Sequence, residues 1–158
     1  MYNLSGKVAI ITGSGGKNGI GRSVANRLSK EGAKIVVTDI VENPYPEDGW
    51  NGLKSVTEEI ETNGGEALHI LSDVTDSSSI NKLIEKVIKK FNRVDILVNN
   101  AGAPANKDRV PIVDLSEDEW DRVLGINLKG VFLFSKAFSN QLILQNEGGK
   151  IINISSIA

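Results

Sequence analysis

The chain has 158 residues, with 18 Lys and Arg against 20 Asp and Glu, a formal net charge of -2 and no cysteine. That length suits one domain with a sizeable core. The balanced charge, with no basic stripe carrying interleaved aromatics, argues against nucleic acid as a partner, and the lack of cysteine excludes disulfides and thiolate metal sites. The N-terminus lacks a basic start followed by an apolar core, and the apolar runs fall far short of the ~20 residues that span a bilayer. A soluble, cytoplasmic protein, with no membrane partner, is the expectation.

The apolar run Val8–Thr12 predicts a first strand. It leads directly into Thr12-Gly13-Ser14-Gly15-Gly16-Lys17-Asn18-Gly19-Ile20-Gly21. Ile20, Val24 and Leu28 then share one face of a helix over 19–30, which Glu31-Gly32 ends. The β-branched segment 34–38 predicts the second strand. Residues 41–50, with Pro44, Pro46 and Gly49, read as a loop and the one candidate insertion. Leu53, Val56 and Ile60 mark a helix closed by Asn63-Gly64-Gly65, and 66–71 is the third strand. Ile80, Leu83, Ile84, Val87, Ile88 and Phe91 repeat with a helical period. A fourth strand is expected over 94–98. Ser116 and Glu119 form a capping box for a short helix with Trp120, Val123 and Leu124. A longer helix is expected over 128–145, and a fifth strand over 151–154. Strands alternating with helices imply an α/β fold, a Rossmann-type doubly wound parallel sheet.

In such sheets ligands bind beyond the carboxyl ends of the strands. A strand, a glycine-rich turn and a helix start in that order make a phosphate cradle, because glycine admits an anion to the backbone and the free N–H groups and dipole favour negative charge. Asp39, after the second strand, can accept hydrogen bonds from both ribose hydroxyls of an adenosine and repel a 2′-phosphate, which argues for NAD over NADP. Lys17 is the counterweight, since it could pair with such a phosphate. After the third strand, Asp73 could hydrogen-bond an adenine amino group, while Asp76 suits a helix cap. Asn99-Asn100-Ala101-Gly102 follow the fourth strand, where buried asparagines demand several partners and small residues leave room for a ligand. Ser155-Ser156 follow the fifth. His69, the single histidine, lies mid-strand, no metal-ligand cluster is present, and no Gly-x-Ser-x-Gly elbow supports hydrolysis.

These motifs together resemble the short-chain dehydrogenase/reductase family, of the single-domain type. The matching stretches are the glycine loop, Asp73-Val74, Asn99-Asn100-Ala101-Gly102, Ile126-Asn127-Leu128-Lys129-Gly130 and Asn153-Ile154-Ser155-Ser156. The resemblance implies an oxidoreductase that interconverts an alcohol and a ketone by hydride transfer to NAD, with NADP possible. Its glycine loop, here with Gly13, Gly19, Ile20 and Gly21, holds the pyrophosphate. Asp39 holds the ribose, Asp73 and Val74 flank the adenine, and Asn100, Ala101 and Gly102 line the cofactor. By the same resemblance Asn127 anchors a water in a proton relay and Ser156 polarises the substrate oxygen. The 3-oxoacyl-carrier-protein reductases are neighbours within the family, but they usually prefer NADP.

Two departures stand out. Five residues separate Gly13 from Gly19 where the family's common form has three, although Gly13, Gly16 and Gly19 fit the spacing of its extended members. The family's catalytic tyrosine, followed four residues on by a lysine, lies beyond the serine, whereas this sequence stops at Ala158, and Gly6 and Gly49 stand four residues after Tyr2 and Tyr45. The expectation is therefore a single NAD(P)-binding domain over 1–158, incomplete at its C-terminus, with a cofactor cradle and half of a catalytic constellation. Its fifth strand would be a bare edge, prone to aggregation or in need of a cover. The apolar positions of the 128–145 helix suggest a homo-oligomer. The alternative is a catalytically silent dinucleotide-binding or interaction module.

Overall fold

The computed structural model describes residues 3–46, 49–105 and 107–156. Its strands are β1 (Val8–Thr12), β2 (Lys34–Asp39), β3 (Ala67–Leu71), β4 (Ile96–Asn99) and β5 (Lys150–Asn153). Its α-helices are α1 (Ile20–Lys30), α2 (Leu53–Thr62), α3 (Ser77–Phe91), α4 (Glu117–Leu124) and α5 (Val131–Leu144). A 3-10 turn at Ile112–Asp114 precedes α4, and a π-helical segment, Gly125–Gly130, joins α4 to α5.

The strands form one parallel sheet in the order β3-β2-β1-β4-β5. Val8 pairs with Lys34, Ala9 with Ile96, Ile35 with Ala67 and Asn99 with Asn153. Side chains alternate between the two faces of a strand, and both faces of β1 are covered, so all five of its residues are buried. Val8, Ile10, Val36 and Leu97 pack under α3 and α5, against Leu83, Val87, Phe134 and Phe138. Ala9, Ile11, Ile35, Val37 and Val98 pack under α1 and α2, against Ala25, Leu53, Val56 and Ile60. Each large side chain fully buried there contributes about 1.5–3 kcal/mol. This is the α/β, Rossmann-type doubly wound sheet that the alternation implied.

Local chemistry sets the helix ends. The Asp76 carboxylate accepts the Ser78 N–H at 2.8 Å and starts α3. Ser116 Oγ accepts the Glu119 N–H and starts α4, as the capping box requires. Most boundaries shift by a residue or two from expectation. The fourth strand begins at Ile96 rather than Val94, because the Gln145 carboxamide clasps both backbone groups of Val94. The expected single helix over 128–145 is divided. Its first turn belongs to the π segment, which sets Gly130 against Val74, where an added Cβ would lie 2.9 Å from Val74 Cγ2. β5 is an edge strand, exposed along its length.

Candidate functional site

With every strand parallel, all five carboxyl ends open on one edge of the sheet, and the longest connections gather there. A cleft of about 760 Å³ lies along that edge. Its floor is the glycine loop. Gly13 has a φ of 64°, and a Cβ on it would stand 2.7 Å from Ala101 Cα. A Cβ on Gly21 would stand 2.7 Å from the Gly13 carbonyl oxygen and 2.8 Å from Asn100 Nδ2. Only glycine fits at either place. Asn100 staples the floor to β4: its Nδ2 donates to the Thr12 and Gly13 carbonyls, at 2.8 Å each. Thr12 Oγ1 returns the link by accepting the N–H groups of Asn100 at 3.0 Å and Ala101 at 2.9 Å.

Asp39 closes the end of β2. Its Oδ2 accepts the Gly15 N–H at 3.0 Å and its Oδ1 accepts the Ile40 N–H at 2.9 Å. Burial pushes its pKa above the ordinary aspartate value, and the two backbone donors only partly offset that. Asp73 Oδ1 accepts both the N–H and the hydroxyl of Thr75, at 2.8 and 2.7 Å, which holds Asp73 and Val74 in a tight turn on the cleft wall. From the far side, Asp121, Arg122, Gly125 and Ile126 complete the lining.

Of the residues expected at the site, Gly13, Gly19, Asp39, Asp73, Val74, Asn100, Ala101 and Gly102 all line this one cleft. Four do not. Gly21 is buried behind the floor, and Ile20, more than half exposed, faces a separate shallow groove with Asn18 and Ser23. Asn127, in the π segment, reaches the rim through its Oδ1, which accepts the Ala103 N–H at 2.8 Å. Ser156 follows β5 and is exposed. The structure thus gathers eight of the ten expected cofactor residues on one cleft and leaves Ile20, Gly21 and the two expected catalytic residues outside the lining.

Several residues of the 41–50 segment, read as a loop and the one candidate insertion, border the site. Pro44 and Tyr45 stand over the glycine loop and line the cleft with Ile40 and Val41. Trp50 is buried, and its Nε1 donates to the Gly15 carbonyl at 2.8 Å. The signal available in the sequence was a lone tryptophan in a polar loop.

The family model described as short chain dehydrogenase matches residues 7–158. The chain belongs to that family. The 2-dehydro-3-deoxy-D-gluconate 5-dehydrogenase of Dickeya dadantii is 39% identical over 156 residues, which is 99% of this chain and 56% of that enzyme. A metagenomic short-chain oxidoreductase solved in complex with NADP superposes with a TM-score of 0.83 at 35% identity, over 98% of this chain and 64% of that one. NAD+-bound xylitol dehydrogenase superposes with a TM-score of 0.84 at 34% identity, over 98% of this chain and 55% of that one. The short-chain dehydrogenase sequence in hand therefore spans a little over half the length of the curated relative.

The donor set fits a nicotinamide dinucleotide. The glycine-rich turn leads into the start of α1, the setting in which backbone N–H groups hold a pyrophosphate, and Asp39 on the cleft wall supplies a carboxylate of the kind that accepts from ribose hydroxyls. Among the described residues no group of three or more His, Cys, Asp or Glu side chains is placed to hold a metal ion, and no helix is long and apolar enough to cross a membrane.

Proposed function

We propose that these residues are the dinucleotide-binding part of an oxidoreductase that interconverts an alcohol and a ketone with NAD. The observation that carries this reading is the convergence of the glycine loop, Asp39, Asp73-Val74 and Asn100-Ala101-Gly102 on one cleft at the strand ends. Gly13, Gly19, Ile20 and Gly21 shape the loop so that its backbone and the α1 start hold the pyrophosphate. Asp39 binds the adenosine ribose, Asp73 and Val74 bracket the adenine, and Asn100, Ala101 and Gly102 line the path toward the reacting end. When bound, the nicotinamide supplies the hydride acceptor or donor. Ser156 donates a hydrogen bond to the substrate oxygen, and Asn127 anchors a water beside it. Neither is an acid or base near neutral pH, so proton exchange requires a further group. The tyrosine–lysine pair that the resemblance places after the serine has that chemistry.

The carboxylate of Asp39 favours NAD, because it would face a 2′-phosphate at close range with its own negative charge. Lys17 is the one loop cation that pulls the other way. Calorimetric titration decides: NAD+ is expected to bind at least about tenfold more tightly than NADP+, and Asp39→Ala narrows that gap. A protein that binds neither dinucleotide would sink the proposal. A second reading, a silent dinucleotide-binding module, draws support from Asn127 and Ser156 standing outside the cleft lining. Binding without turnover on a carbonyl panel would favour it.

We also propose a homo-oligomer. Trp120, Leu128, Phe132, Ile143 and Leu144 are exposed apolar side chains on α4, the π segment and α5, of the kind that a second copy would cover. Sedimentation equilibrium tests it, and a monomer at all concentrations counts against it.

A further inference from the structure

The glycine loop is longer than usual, and its extra length has to be held. Gly15 and Gly16 lack a Cβ, so the peptide between them can rotate to either orientation at little steric cost. Both polar groups of Gly15 are nevertheless taken. Its N–H donates to Asp39 Oδ2 at 3.0 Å, and its carbonyl accepts Trp50 Nε1 at 2.8 Å. In a trans peptide the carbonyl and the next N–H point in opposite directions. Turning the Gly15 carbonyl toward the buried Trp50 therefore turns the Gly16 N–H away from it, and Gly16 lines the cleft.

The indole is itself anchored. The Trp50 carbonyl accepts Asn43 Nδ2 at 2.9 Å. The Arg22 guanidinium lies 5.2 Å from the centre of the indole ring, within cation–π range. Arg22 is fixed by two hydrogen bonds to the Glu59 carboxylate, at 2.8 and 3.0 Å, and its Nη1 donates to the Lys17 carbonyl at 2.5 Å. Two carbonyls of the enlarged stretch, those of Gly15 and Lys17, are thus gripped by two stacked side chains.

We propose that Trp50 is a positioning residue for phosphate: its indole N–H sets the Gly15–Gly16 peptide so that the Gly16 N–H faces a diphosphate in the cleft. This rests on the dinucleotide reading above. Trp50 does not touch the ligand; it acts through the peptide.

Trp50→Phe keeps a buried aromatic ring and removes the donor together with part of the ring, so the adenosine titration serves as the control for a general packing loss. Titrations of ADP and of adenosine against the parent and variant proteins separate the contributions. ADP is expected to bind the variant about fivefold more weakly, the value of one hydrogen bond, with adenosine unchanged. Equal loss of both ligands, or no loss of either, overturns the inference. A parent protein that binds no ADP defeats the dinucleotide reading first, and this inference with it. A second measurement needs no variant. The Trp50 indole N–H resonance is expected to shift on titration with ADP and to stay in place with adenosine, and an indole signal indifferent to ADP overturns the assignment.

Discussion

Asp39 combines two demands that pull against each other. In the proposed role it accepts from ribose hydroxyls as a carboxylate, yet its partial burial raises its pKa above the usual aspartate value. NAD+ affinity is therefore expected to fall as pH drops through that raised value, before a solvated aspartate would respond. Asp39→Asn should flatten the profile, and titrations between about pH 4 and 7 check it. For stability the sign is reversed. The folded state binds this proton more tightly than the unfolded chain, so the benefit is present at low pH and lost as pH rises through the raised value. Gly21 shows the other kind of residue-scale constraint. In Gly21→Ala the new Cβ would meet the Gly13 carbonyl oxygen and Ser14 Cα, at 2.7 and 2.9 Å, and backbone atoms have nowhere to go. A loss of about 1–3 kcal/mol in urea unfolding is expected, with NAD+ affinity falling as the floor shifts.

Elements whose cause is local behave as their residues dictate. The α3 start depends on the Asp76 carboxylate, and Asp76→Ala is expected to cost about 1 kcal/mol by thermal unfolding, with NAD+ binding unchanged. The same locality made the strands and most helices legible in the sequence: the unbroken apolar, β-branched runs of β1 and β2, the 3.6 period of α3, and the cap at Ser116 are each written within a few residues. The eight candidate cofactor residues that meet at the cleft were legible as candidates, because they lie at or soon after the carboxyl ends of β1 to β4. What stayed hidden depends on distant partners. The π segment changes the hydrogen-bond step without a residue type that marks it, so Gly125–Gly130 read as ordinary helix or loop. Trp50 sits 35 residues from the carbonyl it holds, and nothing in a Pro- and Gly-containing loop announces that partner. The roles of Asn127 and Ser156 were assigned by resemblance alone; the place of Ser156 after the fifth strand was legible, whereas the rim position of Asn127 was not.

Across the whole molecule the edge of the sheet opposite the cleft has its own fastening at Asp95. Its carboxylate accepts the Val8 N–H at 2.9 Å, Lys7 Nζ at 3.0 Å and the Arg93 guanidinium at 2.8 and 2.6 Å, tying the start of β1 to the approach to β4. Burial alone would raise the Asp95 pKa, but Arg93, the Val8 N–H and Lys7 outweigh it and lower the pKa below the ordinary value. The stabilisation is thus complete above the unfolded value, about pH 4, and disappears as pH falls through the lowered one. Asp95→Asn is expected to lose about 2 kcal/mol at neutral pH, so the urea midpoints of parent and variant should stand apart at neutral pH and converge at acid pH. The strand order carries a further consequence, one of timing. β1 is synthesised well before β4, yet β4 is one of its two neighbours, with Ala9 set against Ile96. A ribosome adding about 5–20 residues per second leaves the Ala9–Ile11 edge without that neighbour for on the order of ten seconds, so a nascent chain carries an open, wholly apolar strand edge until the second half of the sheet emerges to seal it.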